Sequence, residues 1–263
     1  MNIIVCMKQV PASSNVEVDP INGTLKRGSA DTKTNPYDLY SLEVALRLKE
    51  RFGGKVTVLT MGPDSAKELI LDAYSMGADE GIILSDRKFA GSDVLATSYT
   101  LSQGIKKIGE YDLIICGKQT TDGDTAQIGP AIAEHLSLPH TAWVSEIVEA
   151  TETDISVRQN LGLVTQVSRM SYPCLITVDA GIMVPRLPSY RRMREVRDKE
   201  IKFLSFSDLL DQDLSRYGLI GSPTTVEKIF PPEGKGDSQT IEGDANEKAS
   251  AIVSILQERK YVL

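Results

Sequence analysis

Cysteine and histidine are scarce in this chain: 263 residues carry three of the first and two of the second. Cys6, Cys116 and Cys174 each sit in or beside an apolar run, with no CxxC or Cys/His spacing. That excludes a zinc finger or a disulfide scaffold and leaves buried, reduced thiols. His135 and His140 flank Leu136-Ser137-Leu138-Pro139, where helix-end capping or surface exposure accounts for them. Positive charge is also short. Lys and Arg total 29 against 36 Asp and Glu, a formal net charge of −7, the wrong sign for displacing counterions from nucleic-acid phosphates. No apolar stretch approaches the roughly 20 residues of a membrane-spanning helix. Met1-Asn2-Ile3-Ile4-Val5-Cys6 lacks the basic region and small-residue cleavage site of a signal peptide. No membrane insertion and a cytoplasmic location are therefore expected. The chain has no G-x-S-x-G elbow, no Walker loop and no G-x-G-x-x-G after a strand. A nucleotide-type fold without an acid–base constellation points to a bound cofactor that carries the chemistry.

What is present is alternation. Short β-rich runs at 3–7, 55–60, 81–84 and 112–116 alternate with helical patterns, the signature of βαβ units on a parallel sheet. Asn35-Pro36 reads as an N-cap and first turn; Leu39, Leu42, Ala45 and Leu46 recur at helical spacing, and Gly53-Gly54 stops the helix. Further helices are expected at 64–76, 92–108 and 124–136. After Pro139 the alternation is cleaner: 147–157 and 163–170 read as an antiparallel pair, and 174–178 returns to the sheet. The segment 222–244 has no core-forming pattern and reads as an extended arm or loop, before an amphipathic helix at 246–260. The fold class is α/β: a Rossmann-like parallel sheet flanked by helices, with an antiparallel extension and a C-terminal arm.

The informative stretch is Gly117-Lys118-Gln119-Thr120-Thr121-Asp122-Gly123-Asp124-Thr125-Ala126-Gln127-Ile128-Gly129-Pro130. It leaves the C-terminal end of a strand and opens a helix, the position where open α/β sheets bind ligands. Asp122, Asp124 and Thr125 can cap the helix, whose free N–H groups favour a phosphate. Gly123 permits a tight turn and Gly129 a close backbone approach. A plain capped helix explains the same residues. Two acidic side chains also oppose phosphate unless they point away, cap backbone or hold ribose hydroxyls. Cys6-Met7-Lys8, Asn35-Pro36-Tyr37-Asp38 and Thr60-Met61 would converge on the same edge. Lys8 is either a surface lysine or a nucleotide contact.

The ordered set KTNPYDLYSLEVALRLKE, VTVLTMGP, LDAYSMGADEGIIL and CGKQTTDGDTAQIGPAIAEHL resembles the β subunit of electron-transfer flavoproteins. The resemblance implies an adenine-nucleotide α-hydrolase-like sheet that pairs with an α subunit carrying its own FAD. It implies AMP, or the AMP half of a second FAD, held by the backbone at Cys6, by Asn35, Asp38 and Met61 on the adenine and ribose side, and by Gly117, Asp122, Gly123, Asp124, Thr125, Ala126, Gln127, Ile128 and Gly129 around the phosphate. The wording Gly-Asp-Thr-Ala-Gln-Ile-Gly-Pro resembles the anaerobic, electron-bifurcating members. In those, NADH supplies electrons to the second FAD; one electron passes to ferredoxin or flavodoxin and the other, through the α-subunit FAD, to a dehydrogenase. Acyl-CoA or enoyl-CoA dehydrogenases are the usual partners, with a flavin-dependent 2-hydroxyacid dehydrogenase as an alternative.

Val184-Pro185-Arg186-Leu187-Pro188-Ser189-Tyr190-Arg191-Arg192-Met193-Arg194 falls at the family's partner-recognition loop, with Leu187, Tyr190, Arg191 and Arg194 as contacts. Tyr190 stands where leucine is common. By residue chemistry alone, the segment is either an aromatic anchor flanked by arginines or a solvated basic helix start with i,i+4 ion pairs. The expected division is 1–183 for the nucleotide-binding unit, 184–202 for the recognition loop and helix, and 203–263 for an arm and helix on the α subunit. Two other readings share the sheet: a homodimeric, non-redox nucleotide module, and a flavodoxin-like carrier binding FMN.

Overall fold

The computed structural model describes residues 1–12, 32–227 and 240–262. Residues 13–31, and 228–239 of the expected extended arm, lie outside the described residues.

Among the described residues the central sheet has nine strands. In chain order the strands are β1 (Asn2–Cys6), β2 (Gln9–Pro11), β3 (Thr32–Thr34), β4 (Lys55–Met61), β5 (Glu80–Leu84), β6 (Leu113–Gly117), β7 (His140–Ala150), β8 (Asp154–Asn160), β9 (Thr165–Ser171), β10 (Cys174–Val178) and β11 (Lys202–Leu204). The sheet order is β11-β5-β4-β1-β6-β10-β7-β8-β9, with β2 and β3 forming a separate antiparallel ribbon. Strands β11 through β7 run parallel. Chain order reverses between β1 and β6, so the topological switch point, where such sheets bind ligands, lies between them.

The helices are α1 (Pro36–Phe52), α2 (Lys67–Met76), α3 (Val94–Ile108), α4 (Ile128–Leu136), α5 (Tyr190–Glu195) and α6 (Ala245–Glu258). Because successive strand residues face opposite sides, Ile3, Val5 and Met7 pack with α1 and α2, while Ile4 and Cys6 pack with Ile105 of α3 and Ile132 of α4. Burial on both faces explains why these strands read as continuous apolar runs. Each fully buried Ile, Val or Leu contributes roughly 1.5–3 kcal/mol.

Three elements differ from the sequence expectation. The antiparallel pair is a three-stranded meander, because Thr151 and Thr153 turn the chain inside what reads as one strand: Thr151 N–H donates to the Asp154 carbonyl at 2.9 Å. The fourth helix starts at Ile128 rather than 124, since Asp124 (φ 51°) and Ala126 (φ 55°) adopt left-handed backbone. The C-terminal segment is tied in at first: β11 extends the sheet beside β5, and Phe206, Leu209 and Tyr217 are buried in the core layer of α3 and α4. In contrast, α6 has no buried residue, and Asp244 caps it through the N–H groups of Asn246 and Glu247.

Candidate functional site

At the switch point the loops after β1, β4 and β6 and the starts of α3 and α4 enclose a cavity of about 510 Å³, within the roughly 300–1,000 Å³ typical of small-molecule sites. Cys6, Asp38, Met61, Gly117, Gly123, Thr125, Ala126, Gln127, Ile128 and Gly129 line it. Asn35, Asp122 and Asp124 do not; each bonds to a residue of the lining, Lys8 or Gln119.

Asn35 is fully buried before α1, and its side chain leaves that helix uncapped. It crosses instead to the β6 loop, donating to the Gln119 carbonyl at 2.9 Å and accepting from the Thr121 N–H at 3.3 Å. Three residues on, Asp38 accepts the Lys8 N–H at 2.7 Å, and a Cβ on Gly117 would fall 2.4 Å from its carboxylate. Asn35 and Asp38 thus bind the ends of β1 and β6 to one helix start. Burial pushes Asp38 up to about 7, against hydrogen bonds that favour its charged form.

Asp122 and Asp124 do not cap α4. Asp122 pairs with the Lys8 ammonium at 2.6 Å, and Asp124 accepts from the Gln119 amide. Burial would raise the Asp122 carboxyl, yet the Lys8 and Thr120 hydrogen bonds hold it below the usual carboxylate range. The acids that oppose phosphate in the sequence are consumed elsewhere. Among the described residues no side chain caps α4, and Ile128 and Gly129 at its first positions face the cavity. Pro130 has no N–H to satisfy. An uncapped helix start open to a cavity suits an anion, so the residues present fit a nucleotide phosphate. Gly129 is required by space: a Cβ there would fall 2.3 Å from Thr177 Cγ2.

A profile of the electron transfer flavoprotein domain matches residues 22–209. The chain belongs to the electron transfer flavoprotein family. It is 43% identical over 262 residues to the electron transfer flavoprotein subunit beta of Clostridium acetobutylicum, covering all of both chains. It is 44% identical over 264 residues to protein FixA of Bradyrhizobium diazoefficiens, covering 97% of this chain and 91% of that one. With the subunit beta of Megasphaera elsdenii the identity is 40% over 268 residues, covering 98% and 97%. Membership places the chain in the β-subunit role of an electron-transferring flavoprotein, and implies flavin association and an α subunit as partner.

In this electron transfer flavoprotein subunit, the cavity also has a wall that no strand end supplies. Ser92 and Asp93 before α3 and Val94, Thr97 and Leu101 within it line this wall, with Thr224 and Val226 from the C-terminal segment. Asp93 caps α3 through the Ala96 N–H at 3.1 Å and accepts the Thr224 hydroxyl at 2.8 Å. Ser92-Asp93 before an apolar run is a readable cap signal; Thr224 and Val226 have no sequence signal and arrive by tertiary contact alone. Lys118 is held by Asp179 at 3.0 Å.

The segment around 187 lies apart from the cavity. Leu187, Tyr190, Arg191 and Arg194 are exposed, Leu187 at 87% and Tyr190 at 76%. Arg191 pairs with Glu195 at 2.8 Å, so the i,i+4 pattern is present beside the exposed aromatic. Arg186 anchors its base: the guanidinium donates to Glu43 at 2.8 and 3.1 Å and to Glu50 at 2.6 Å. Glu43 is itself fully buried in α1. Burial opposes its charge, and Arg186 overcomes this and holds it below the usual carboxylate range. Among the described residues no helix is long and apolar enough to cross a membrane, and no group of three or more His, Cys, Asp or Glu could hold a metal.

Proposed function

We propose that this β subunit holds the AMP half of a second FAD in the switch-point cavity and takes part in flavin-based electron bifurcation. The observation that carries the nucleotide reading is the uncapped start of α4 opening onto a cavity from which Asp122 and Asp124 are withdrawn. The flavin, when bound, supplies hydride acceptance and single-electron transfer. The protein's residues do the rest. The backbone at Ile128 and Gly129 receives the phosphates, Asp38 and Asn35 hold the two strand ends at the adenine and ribose side, and Met61 lines that same side. NADH is the donor; ferredoxin or flavodoxin takes one electron, and the other passes by the α-subunit FAD to an acyl-CoA, enoyl-CoA or 2-hydroxyacid dehydrogenase in the cytoplasm.

In the same reading, residues 1–183 bind the nucleotide, 184–202 dock the dehydrogenase through Leu187, Tyr190, Arg191 and Arg194, and the chain from 203 leads to an arm and helix on the α subunit. The exposure of Tyr190 on a segment anchored through Arg186 supports this, since buried aromatics and arginines dominate interface energy. Tyr190→Ala should weaken dehydrogenase docking by tenfold or more, about 1.4 kcal/mol, with flavin content unchanged; unaltered affinity sinks the docking role.

The central test counts nucleotides in the purified heterodimer and assays NADH-driven ferredoxin reduction. Two FAD per complex with ferredoxin reduction supports bifurcation. One FAD and one AMP, without it, makes the chain the subunit of a simple carrier with structural AMP.

A further inference from the structure

Cys6 ends β1 and Cys116 lies one residue before the end of β6, the two strands flanking the switch point. The strands are parallel, and the two cysteines are direct register partners. Such partners present their side chains to the same face; both belong to the core layer under α3 and α4, and both line the cavity. Neighbouring strands lie roughly 4.7–4.9 Å apart, inside the roughly 4.4–6.8 Å Cα window that a disulfide spans. Cys174 differs on every count: its register partner is Leu113 and it faces the other core layer, away from the cavity.

We propose that Cys6 and Cys116 form a dithiol–disulfide pair in the cavity floor, which a peroxide closes when the nucleotide is absent and which bound nucleotide shields. The shielding half rests on the nucleotide reading above; the pairing does not. In the first step the Cys6 sulfur attacks hydrogen peroxide, its O–O bond breaks, and a sulfenic acid and one water form. The Cys116 sulfur then displaces the sulfenic oxygen, which leaves as a second water with the Cys116 proton. Two thiols lose two electrons and two protons, and one peroxide becomes two waters. The roles of the two sulfurs can be exchanged without changing this balance.

Parallel register partners keep their Cβ atoms about one strand spacing apart, slightly beyond the roughly 3.5–4.5 Å of a relaxed disulfide. Closure must pinch the two strand ends together, and a strained bond of this kind is readily reduced again. The pinch acts directly beneath Gly129, whose would-be Cβ lies 3.5 Å from the Cys116 Cβ. Closure therefore reshapes the backbone that faces the phosphate, and the oxidised chain should take up nucleotide poorly.

The test uses the heterodimer, depleted of nucleotide by dialysis and reloaded with AMP, with AMP binding measured separately by equilibrium dialysis. Each sample is treated with hydrogen peroxide, its free thiols are alkylated, and its unreduced digest is read by mass spectrometry. The expected result is a peptide linked through Cys6 and Cys116 in the depleted sample, reversed by dithiothreitol, absent in Cys116→Ser, with Cys174 alkylated throughout. With AMP well above its dissociation constant, the link should form about tenfold more slowly or less. Separate sulfinic acids or two free thiols in the depleted sample overturn the pairing. Equal rates while AMP is demonstrably bound overturn the shielding. If AMP does not bind yet the link forms, the pairing stands and the nucleotide reading falls instead.

Discussion

Ala126 sits at φ 55°, in a region that side chains other than those of glycine, asparagine and aspartate rarely visit. The strain is held at the cavity wall, where it delays the start of α4 to Ile128 and leaves that end uncapped. Strain of this kind clusters at ligand sites. Ala126→Gly should stabilise the chain by about 1 kcal/mol, the left-handed penalty less glycine's added unfolded-state freedom. A urea midpoint that falls in this variant would show that the conformation is unstrained. Asp38 offers a second residue-level reading. Burial raises its pKa from 3.8 to about 7, so the folded chain keeps a proton that the unfolded chain releases from about pH 4 upward. Its contribution to stability is full below the unfolded value and lost as pH climbs through about 7. The urea midpoint of the native chain, relative to Asp38→Asn, should decline between pH 4 and 7 and level off above; a constant difference contradicts the assignment.

At the scale of one element, α1 joins two regions that are far apart in the chain. Its start grips the β1 and β6 ends through Asn35 and Asp38, and Glu43 further along receives Arg186 and Arg47. Breaking a buried ion pair by removing one partner costs roughly 3–5 kcal/mol. Arg186 keeps Glu50 as a second partner, so Glu43→Ala should cost about 3 kcal/mol in urea unfolding. A loss below about 1 kcal/mol would assign the pair to the solvated class. The periodicity of Leu42, Ala45 and Leu46 and the Gly53 stop were readable in the sequence, because they are local. Asn35 was readable only in part: its place before Pro36 signals a helix start, but its side chain serves a loop 84 residues away.

Over the whole molecule, the sheet and its two apolar layers account for residues as far as Tyr217, whereas α6 buries nothing. A helix with Ile252 and Val253 half-exposed lacks the packing from which most helical stability comes, consistent with the proposed seat on the α subunit. A chain ending at 227 should keep the unfolding midpoint of the full chain within a few degrees, yet fail to co-purify with the α subunit. Retained co-purification would remove the arm from that interface.

The strand–helix alternation, the parallel sheet and the strand-end position of Gly117 to Gly129 were determined by sequence alone, because apolar periodicity and turn residues act over a few neighbours. The tertiary structure decided the rest. It drew Asp122 to Lys8 and Asp124 to Gln119, so that the acids leave the cavity. It brought α3 and Thr224 to the opposite wall, and set Cys6 beside Cys116. Each of these depends on which strands become neighbours, and neighbours that far apart in the chain share no local pattern.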